Sequence, residues 1–283
     1  MRRFPKPGRV LRRLALGALL AVLLLYGTVA AVLWFVQRDL IYPGARGLVK
    51  DARDRPAQVT EIAVGTPDGE TLRALWRPPS PGCGVVVSFH GNASLPERPA
   101  RRFVRDPWRS HGWGLMAVAY RGYPGSTGRP GEAGLIADGL AAVAEVERRA
   151  PGAPVLLHGH SLGTAVAVAV AAERPHLGLY LEAPFSSMSA MARLRFPAIP
   201  TFLLRDPWPS DRRIAGVAGP ILIVHGDADP VVPFASGRAL AQAAPSGTRF
   251  VAVRGDHVSL LGQEDGVAEP LFRAGMPAGC EAG

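Results

Sequence analysis

Cysteine, internal repetition and low-complexity sequence are what this 283-residue chain has least of. Only Cys83 and Cys280 occur, and neither has a second Cys or a His at zinc-binding spacing. No metal and no cofactor are therefore expected. An exported location would permit the two thiols to pair, but the sequence does not give their separation, and two incidental thiols fit it as well. The lack of a repeat argues against a repeat array. The Ala richness of residues 140–172 is a composition bias, not a sign of disorder. Acidic residues are missing from residues 1–13, which hold Arg2, Arg3, Lys6, Arg9, Arg12 and Arg13. This arm carries most of the net charge of +9: without its six cations, 26 basic residues face 23 acidic ones, a balance of +3. The basicity is a tail and not a groove, so nucleic acid is not an expected partner.

Charge of either sign is absent from residues 14–36, a run dominated by Leu, Val and Ala. About 20 apolar residues cross a bilayer as a helix, and Trp34 and Phe35 suit an interfacial aromatic belt. Thr28-Val29-Ala30 weakly resembles a signal cleavage site, but the run continues well beyond a secretory apolar region of about 7–15 residues. With no polar stripe, it does not read as a soluble core helix. The expectation is an uncleaved single-pass anchor, preceded by the arm 1–13 and followed by a juxtamembrane connector, 37–58. Arg38, Arg46, Lys50, Arg53 and Arg55 follow the span, offset by Asp39, Asp51 and Asp54, so the excess of cations before it is small. The simplest topology keeps the arm in the cytoplasm and exports the large domain.

From residue 59 to 283 strand and helix signals alternate. Residues 59–64 and 72–76 flank the turn Pro67-Asp68-Gly69 and predict a hairpin. Short apolar runs at 85–89, 115–119, 155–157, 177–181, 221–224 and 249–253 predict strands, the first ones of the kind buried on both faces. Helices are predicted at 99–110 (interrupted at Pro107), 132–149, 164–173 and 234–244. This order implies an α/β fold, a mostly parallel sheet with helices on both faces. Residues 185–213 break the pattern with many apolar residues and prolines after a strand end, where ligands bind in such sheets. They are read as a small cap, with a self-packed surface excursion as the alternative.

Gly159-His160-Ser161-Leu162-Gly163 carries the chemistry. It sits between a predicted strand and a helix of small residues, as in a nucleophile elbow. Bulky side chains at 159 and 163 would collide in so tight a turn, and the helix N-terminus offers free N–H groups to an oxyanion. A serine nucleophile needs a base and the base an orienting acid, in the chain order Ser, Asp or Glu, His. His257 is the histidine beyond the last strand; His225, at a strand end before Gly226, reads as having a backbone role. Asp227 and Asp229 share one strand-end loop, and spacing does not choose between them. Asp256 adjoins His257 and is expected to face solvent or cap the following helix. The N–H groups of Leu162 and Asn92, the latter in His90-Gly91-Asn92-Ala93 after the first buried strand, are the expected oxyanion donors. Tyr120-Arg121-Gly122-Tyr123-Pro124-Gly125-Ser126 either lines the same crevice or is an ordinary turn.

Those blocks, together with His225-Gly226-Asp227-Ala228-Asp229-Pro230-Val231-Val232-Pro233 and Gln37-Arg38-Asp39-Leu40-Ile41-Tyr42-Pro43, resemble membrane-anchored α/β-hydrolases of the serine-aminopeptidase-like S33 (hydrolase-4) branch. The resemblance spans about residues 37–262. It implies a triad of Ser161, Asp229 and His257, resolving the choice of acid; the departure is Asp256 where a Gly commonly precedes the His. It further implies a serine hydrolase of carboxylic esters or thioesters with lipid-like acyl substrates, an esterase, lysophospholipase or acyl-thioesterase. An S33-type peptidase and a non-catalytic binding module on the same scaffold are the alternatives. Ser161 in place of Asp argues against a dehalogenase.

Overall fold

The computed structural model describes residues 7–49 and 54–280. Residues 1–6 of the basic arm, 50–53 of the connector and 281–283 lie outside the described residues. The chain forms an eight-stranded sheet in the order β1-β2-β4-β3-β5-β6-β7-β8. Its strands are β1 (Thr60–Gly65), β2 (Thr71–Arg77), β3 (Val85–Phe89), β4 (Gly114–Val118), β5 (Val155–His160), β6 (Gly178–Glu182), β7 (Ile221–Gly226) and β8 (Arg249–Val253). β2 pairs antiparallel with β1 and β4, and every other pair is parallel. β3 to β7 are buried along their whole length. Helices on both faces are what let such strands be apolar throughout. The edge strands β1 and β8 are partly exposed and correspondingly more polar.

Alternate residues of each strand feed two cores. Val85, Val87 and Phe89 of β3 and Leu157 of β5 pack with α3 (Glu132–Arg149), α4 (Leu162–Ala171) and α7 (Phe234–Ala243). Val86 and Leu156 face the other way, toward α2 (Glu97–Phe103), Trp108, Trp113 and α8 (Asp265–Arg273). All ten residues of α4 are buried, which explains a helix of Ala, Val, Leu, Gly and Thr alone. Each fully buried Val or Leu adds about 1.5–3 kcal/mol. The expected helix at 99–110 ends at Phe103 and gives way to turns, because Pro107 has no N–H to continue the ladder.

α1 runs from Pro7 to Ile41, 35 residues, and is long and apolar enough to cross a membrane. The sequence placed the end of this helix at residue 36 and a connector after it. Instead Gln37–Ile41 prolong α1, and Pro43–Arg46 form a 3-10 turn. The reason is packing: Gln37, Ile41 and Tyr42 are buried against the domain. Gly44 donates its N–H to Asn92 O at 3.2 Å. A Cβ at Gly44 would stand 2.2 Å from the Tyr123 ring, so only glycine lets the turn approach. Residues 185–213 fold as α5 (Met188–Arg195), a 3-10 turn (Thr201–Leu203) and α6 (Ser210–Ile214). Asp206 ties them to the rest. It is buried, accepts both Nε and Nη2 of Arg38, and accepts the Glu132 N–H that opens α3.

Cys83, just before β3, is disulfide-bonded to Cys280, with Cα atoms 4.4 Å apart across 197 residues of sequence. The intact protein, unfolded without reductant, is expected to offer no thiol to maleimide, and two after reduction. Two modified cysteines before reduction would show that the bridge does not form.

Candidate active site

Ser161 stands between the last residue of β5 and the first of α4, with φ 53° and ψ −118°. This strained conformation persists because the turn is packed from both sides. A Cβ on Gly159 would lie 2.4 Å from Gly163 O, and one on Gly163 would lie 2.0 Å from Phe89 O. The Ser161 N–H donates to Glu182 O, and its carbonyl accepts Thr164 Oγ1 at 2.6 Å. Leu162 opens α4, so its N–H has no partner within the helix.

The loop after β3 passes directly over this turn: a Cβ on Gly91 would be 3.5 Å from Ser161 Cβ. Asn92 O accepts the Tyr123 hydroxyl at 2.7 Å, while its N–H donates to no group among the described residues. Tyr120 OH donates to His90 O, and the Tyr120 and Tyr123 rings lie 4.3 and 5.2 Å from the His90 ring. Residues 120–126, whose role the sequence left open, therefore brace this loop from beneath and do not line the crevice.

His257 donates Nδ1–H to Asp229 Oδ2 at 2.7 Å. The Asp229 side chain is buried, and its other oxygen accepts the Val231 and Val232 N–H groups at 2.8 and 2.9 Å. Burial by itself would raise the Asp229 carboxyl, but the imidazole and the two amides outweigh it and hold it below the ordinary carboxylate range. An ionised carboxylate only accepts, so Nδ1 carries the proton and Nε2 is left free to accept one. Ser161 Oγ makes no hydrogen bond among the described residues. Such catalytic contacts commonly tighten only with substrate in place. The His257 ring lies 4.9 Å from that of His160, the residue before Ser161, and His160 Nε2–H donates to His257 O. Burial and the neighbouring His257 push His160 down to about 3, so it stays neutral and serves as a donor.

The two other carboxylates go elsewhere. Asp227 accepts the Gly255 N–H at 3.1 Å, pinning one loop to the other. Asp256 accepts the Val258 and Ser259 N–H groups and turns the chain beyond His257. His225 Nε2 donates to Val232 O at 3.0 Å, which fixes the amides that hold Asp229. Gly237 permits that, since a Cβ there would be 2.2 Å from the ring.

Glu182 was not singled out in the sequence, where a carboxylate ending an apolar strand carries no signal. It is fully buried, pairs with Arg102, lies 2.9 Å from His158 Nε2, and accepts the Gly262 N–H at 3.0 Å, in the segment that follows His257. Arg102 continues to Asp265. Burial would raise the Glu182 carboxyl, but the Arg102 guanidinium and the His158 N–H overcome it and hold it well below its ordinary value.

Ser161, Leu162 and Asn92 close one end of a cavity of about 350 Å³. Its other walls are mostly apolar, with Gln37, Arg195 and Thr201 as the polar exceptions, and are formed by the cap on one side and by the C-terminal part of α1 on the other.

Residues 80–210 match the Hydrolase_4 family, described as serine aminopeptidase, S33. That stretch includes Ser161 and all but the last residues of the cap; Asp229 and His257 lie beyond it. The uncharacterized protein Rv2307c of Mycobacterium tuberculosis is 35% identical over 246 residues, covering 85% of this chain and 87% of the relative. Lysophosphatidylserine lipase ABHD12 of Mus musculus is 33% identical over 183 residues, 57% of this chain but only 46% of the lipase. Among solved structures, an α/β hydrolase from Vibrio vulnificus superposes with a TM-score of 0.65 at 19% identity, covering 85% of this chain and 92% of that one. The Pyrococcus furiosus esterase Pf2001 gives 0.63 at 16%, over 76% and 90%. Sequence kinship along most of the chain, with the eight-stranded fold and the serine turn it surrounds, shows that the protein belongs to the serine aminopeptidase S33 (Hydrolase_4) family of α/β-hydrolases.

Proposed function

We propose that this chain is a membrane-anchored serine hydrolase that cleaves lipid-like carboxylic esters through an acyl-enzyme. The observation that carries the reading is the shared lining of one cavity: the strained Ser161 together with Leu162 and Asn92, and mostly apolar side chains along the rest. Ser161 Oγ attacks the acyl carbonyl while His257 Nε2 takes its proton. Asp229 keeps the ring in the right tautomer and stabilises the imidazolium. The Leu162 and Asn92 N–H groups receive the oxyanion, one such donor being worth about 3 kcal/mol in the transition state. The imidazolium then protonates the departing alkoxide. Water, deprotonated by the same ring, releases the carboxylic acid and restores Ser161. A thioester presents the same carbonyl and falls within the same reading. The apolar wall offers a peptide backbone few hydrogen-bond partners, which favours esters over peptides. A relative named as a lysophosphatidylserine lipase supports a lipid substrate.

The hydrolase domain lies on the non-cytoplasmic side of the membrane. The Cys83–Cys280 bridge supports this, since disulfides persist in oxidising compartments, and so does the basic arm that stays behind.

A fluorophosphonate probe is expected to modify the full-length protein once, with the adduct mapping to Ser161 and blocking ester turnover. An unmodified protein, or an adduct on another residue, would remove the mechanism.

A further inference from the structure

In the fold α1 is more than an anchor. Ala30, Leu33, Trp34 and Gln37, at helical spacing on one face, line the same cavity as Ser161. That face is fastened along the cap. Tyr26 OH donates to Ala198 O at 2.8 Å, Gln37 Oε1 accepts the Arg205 N–H at 2.7 Å, and the Arg205 guanidinium lies 5.2 Å from the centre of the Trp34 ring. From Tyr26 to Gln37 the helix rises about 16 Å, close to half of a hydrocarbon core of about 30 Å. The cap therefore stands beside a stretch of α1 that is itself apolar enough for lipid. It presents Leu194, Phe196 and Phe202 outward, the last 83% exposed. A water-soluble surface gains nothing from those side chains, whereas one leaflet of a bilayer would cover them.

We propose that the C-terminal half of α1 and the cap together form an acyl-chain site open to the adjoining leaflet, so that a single-chain lipid ester slides sideways from the bilayer to Ser161, and that Ala30 and Leu33 set how long a chain is accepted. The inference rests on the ester-hydrolase reading above. The bilayer supplies the chain already desolvated, and the cavity takes it from lipid to protein without crossing water. A cavity of 350 Å³ has room for about a dozen groups of the size of a water molecule, so one acyl chain fills it.

The test compares p-nitrophenyl esters of short and long fatty acids on the full-length protein in lipid nanodiscs, reading the long-to-short ratio of kcat/KM. Each methylene shut out is worth about fourfold, so Ala30→Trp is expected to lower the ratio about tenfold or more. Leu33→Ala, which enlarges the site, is expected to move the preferred chain to greater length. Val32→Trp, on the side of α1 away from the cavity, is expected to keep the wild-type ratio. The proposal is overturned if Ala30→Trp and Leu33→Ala both leave the ratio unmoved, if they lower both esters equally, or if Val32→Trp shifts it as much as Ala30→Trp. Wild-type protein that takes neither ester and no fluorophosphonate would instead remove the hydrolase reading itself.

Discussion

Replacing Asp229 with Asn is expected to lower kcat for a good ester about 10⁴-fold while leaving the fold and KM nearly intact. The size follows from what Asp229 does to the ring. In Asp229→Asn the side-chain carbonyl would still accept the Val231 and Val232 amides, so the loop keeps its shape. The new NH₂ would then face His257 Nδ1, where the carboxylate now accepts a proton at 2.7 Å. A donor cannot accept from a donor, so the ring must carry its proton on Nε2, the nitrogen proposed above as the base. The wrong tautomer in an otherwise intact triad costs about that factor in kcat. Steady-state kinetics with matched thermal melts check it. A loss under tenfold in a folded variant would mean that Asp229 does not steer His257 in turnover.

The largest effect on stability is expected at Glu182. Its removal by Glu182→Ala leaves Arg102 and His158 facing each other in a buried space, and the Gly262 N–H without an acceptor. Breaking a buried pair in this way costs about 3–5 kcal/mol, far more than an exposed pair would. Urea unfolding followed by tryptophan fluorescence measures it, since Trp108 and Trp113 pack in the core on the same side of the sheet. The pH dependence follows from the sign of the shift. A carboxyl held below its unfolded value contributes in full at any pH above the ordinary carboxylate range, and the contribution is lost as the pH falls through the lower, folded value. The wild-type and Glu182→Ala stabilities should therefore converge only in strong acid. A difference under about 1 kcal/mol at neutral pH would show the network to be dispensable. Turnover should also fall in the variant, because Gly262 holds the segment that carries His257.

The parts of this protein that were legible in the sequence are those where one physical demand acts alone. β3 reads as Val-Val-Val-Ser-Phe because both of its faces meet helices, and α4 reads as small residues because no side of it meets water. Gly159 and Gly163 stand out because nothing larger fits the turn. Where two demands share the same residues, the sequence is silent. Lipid and a protein cavity both ask for Ala30 and Leu33, so the docking of α1 on the cap left no mark in the composition, and Gln37–Arg46 read as a connector although Gln37, Ile41, Tyr42 and Gly44 are packed against the domain. The choice between Asp227 and Asp229 depends on which carboxylate turns back under its own loop, a matter of backbone direction that spacing does not encode. Glu182 and His225 work by holding other residues in place. Polar groups of that kind are recognisable only once their surroundings are assembled.

The position of the disulfide has a practical consequence. Cys83 precedes β3 and Ser161 follows β5, the parallel neighbour of β3, so the bridge and the crevice occupy opposite poles of the sheet, about five residues or 17 Å of strand apart. The pole stapled to the C-terminal segment is the one opposite the cavity that α1 and Ser161 line. A dye or a surface linkage carried there would hold the molecule by its far end, leaving that cavity unobstructed for single-molecule observation.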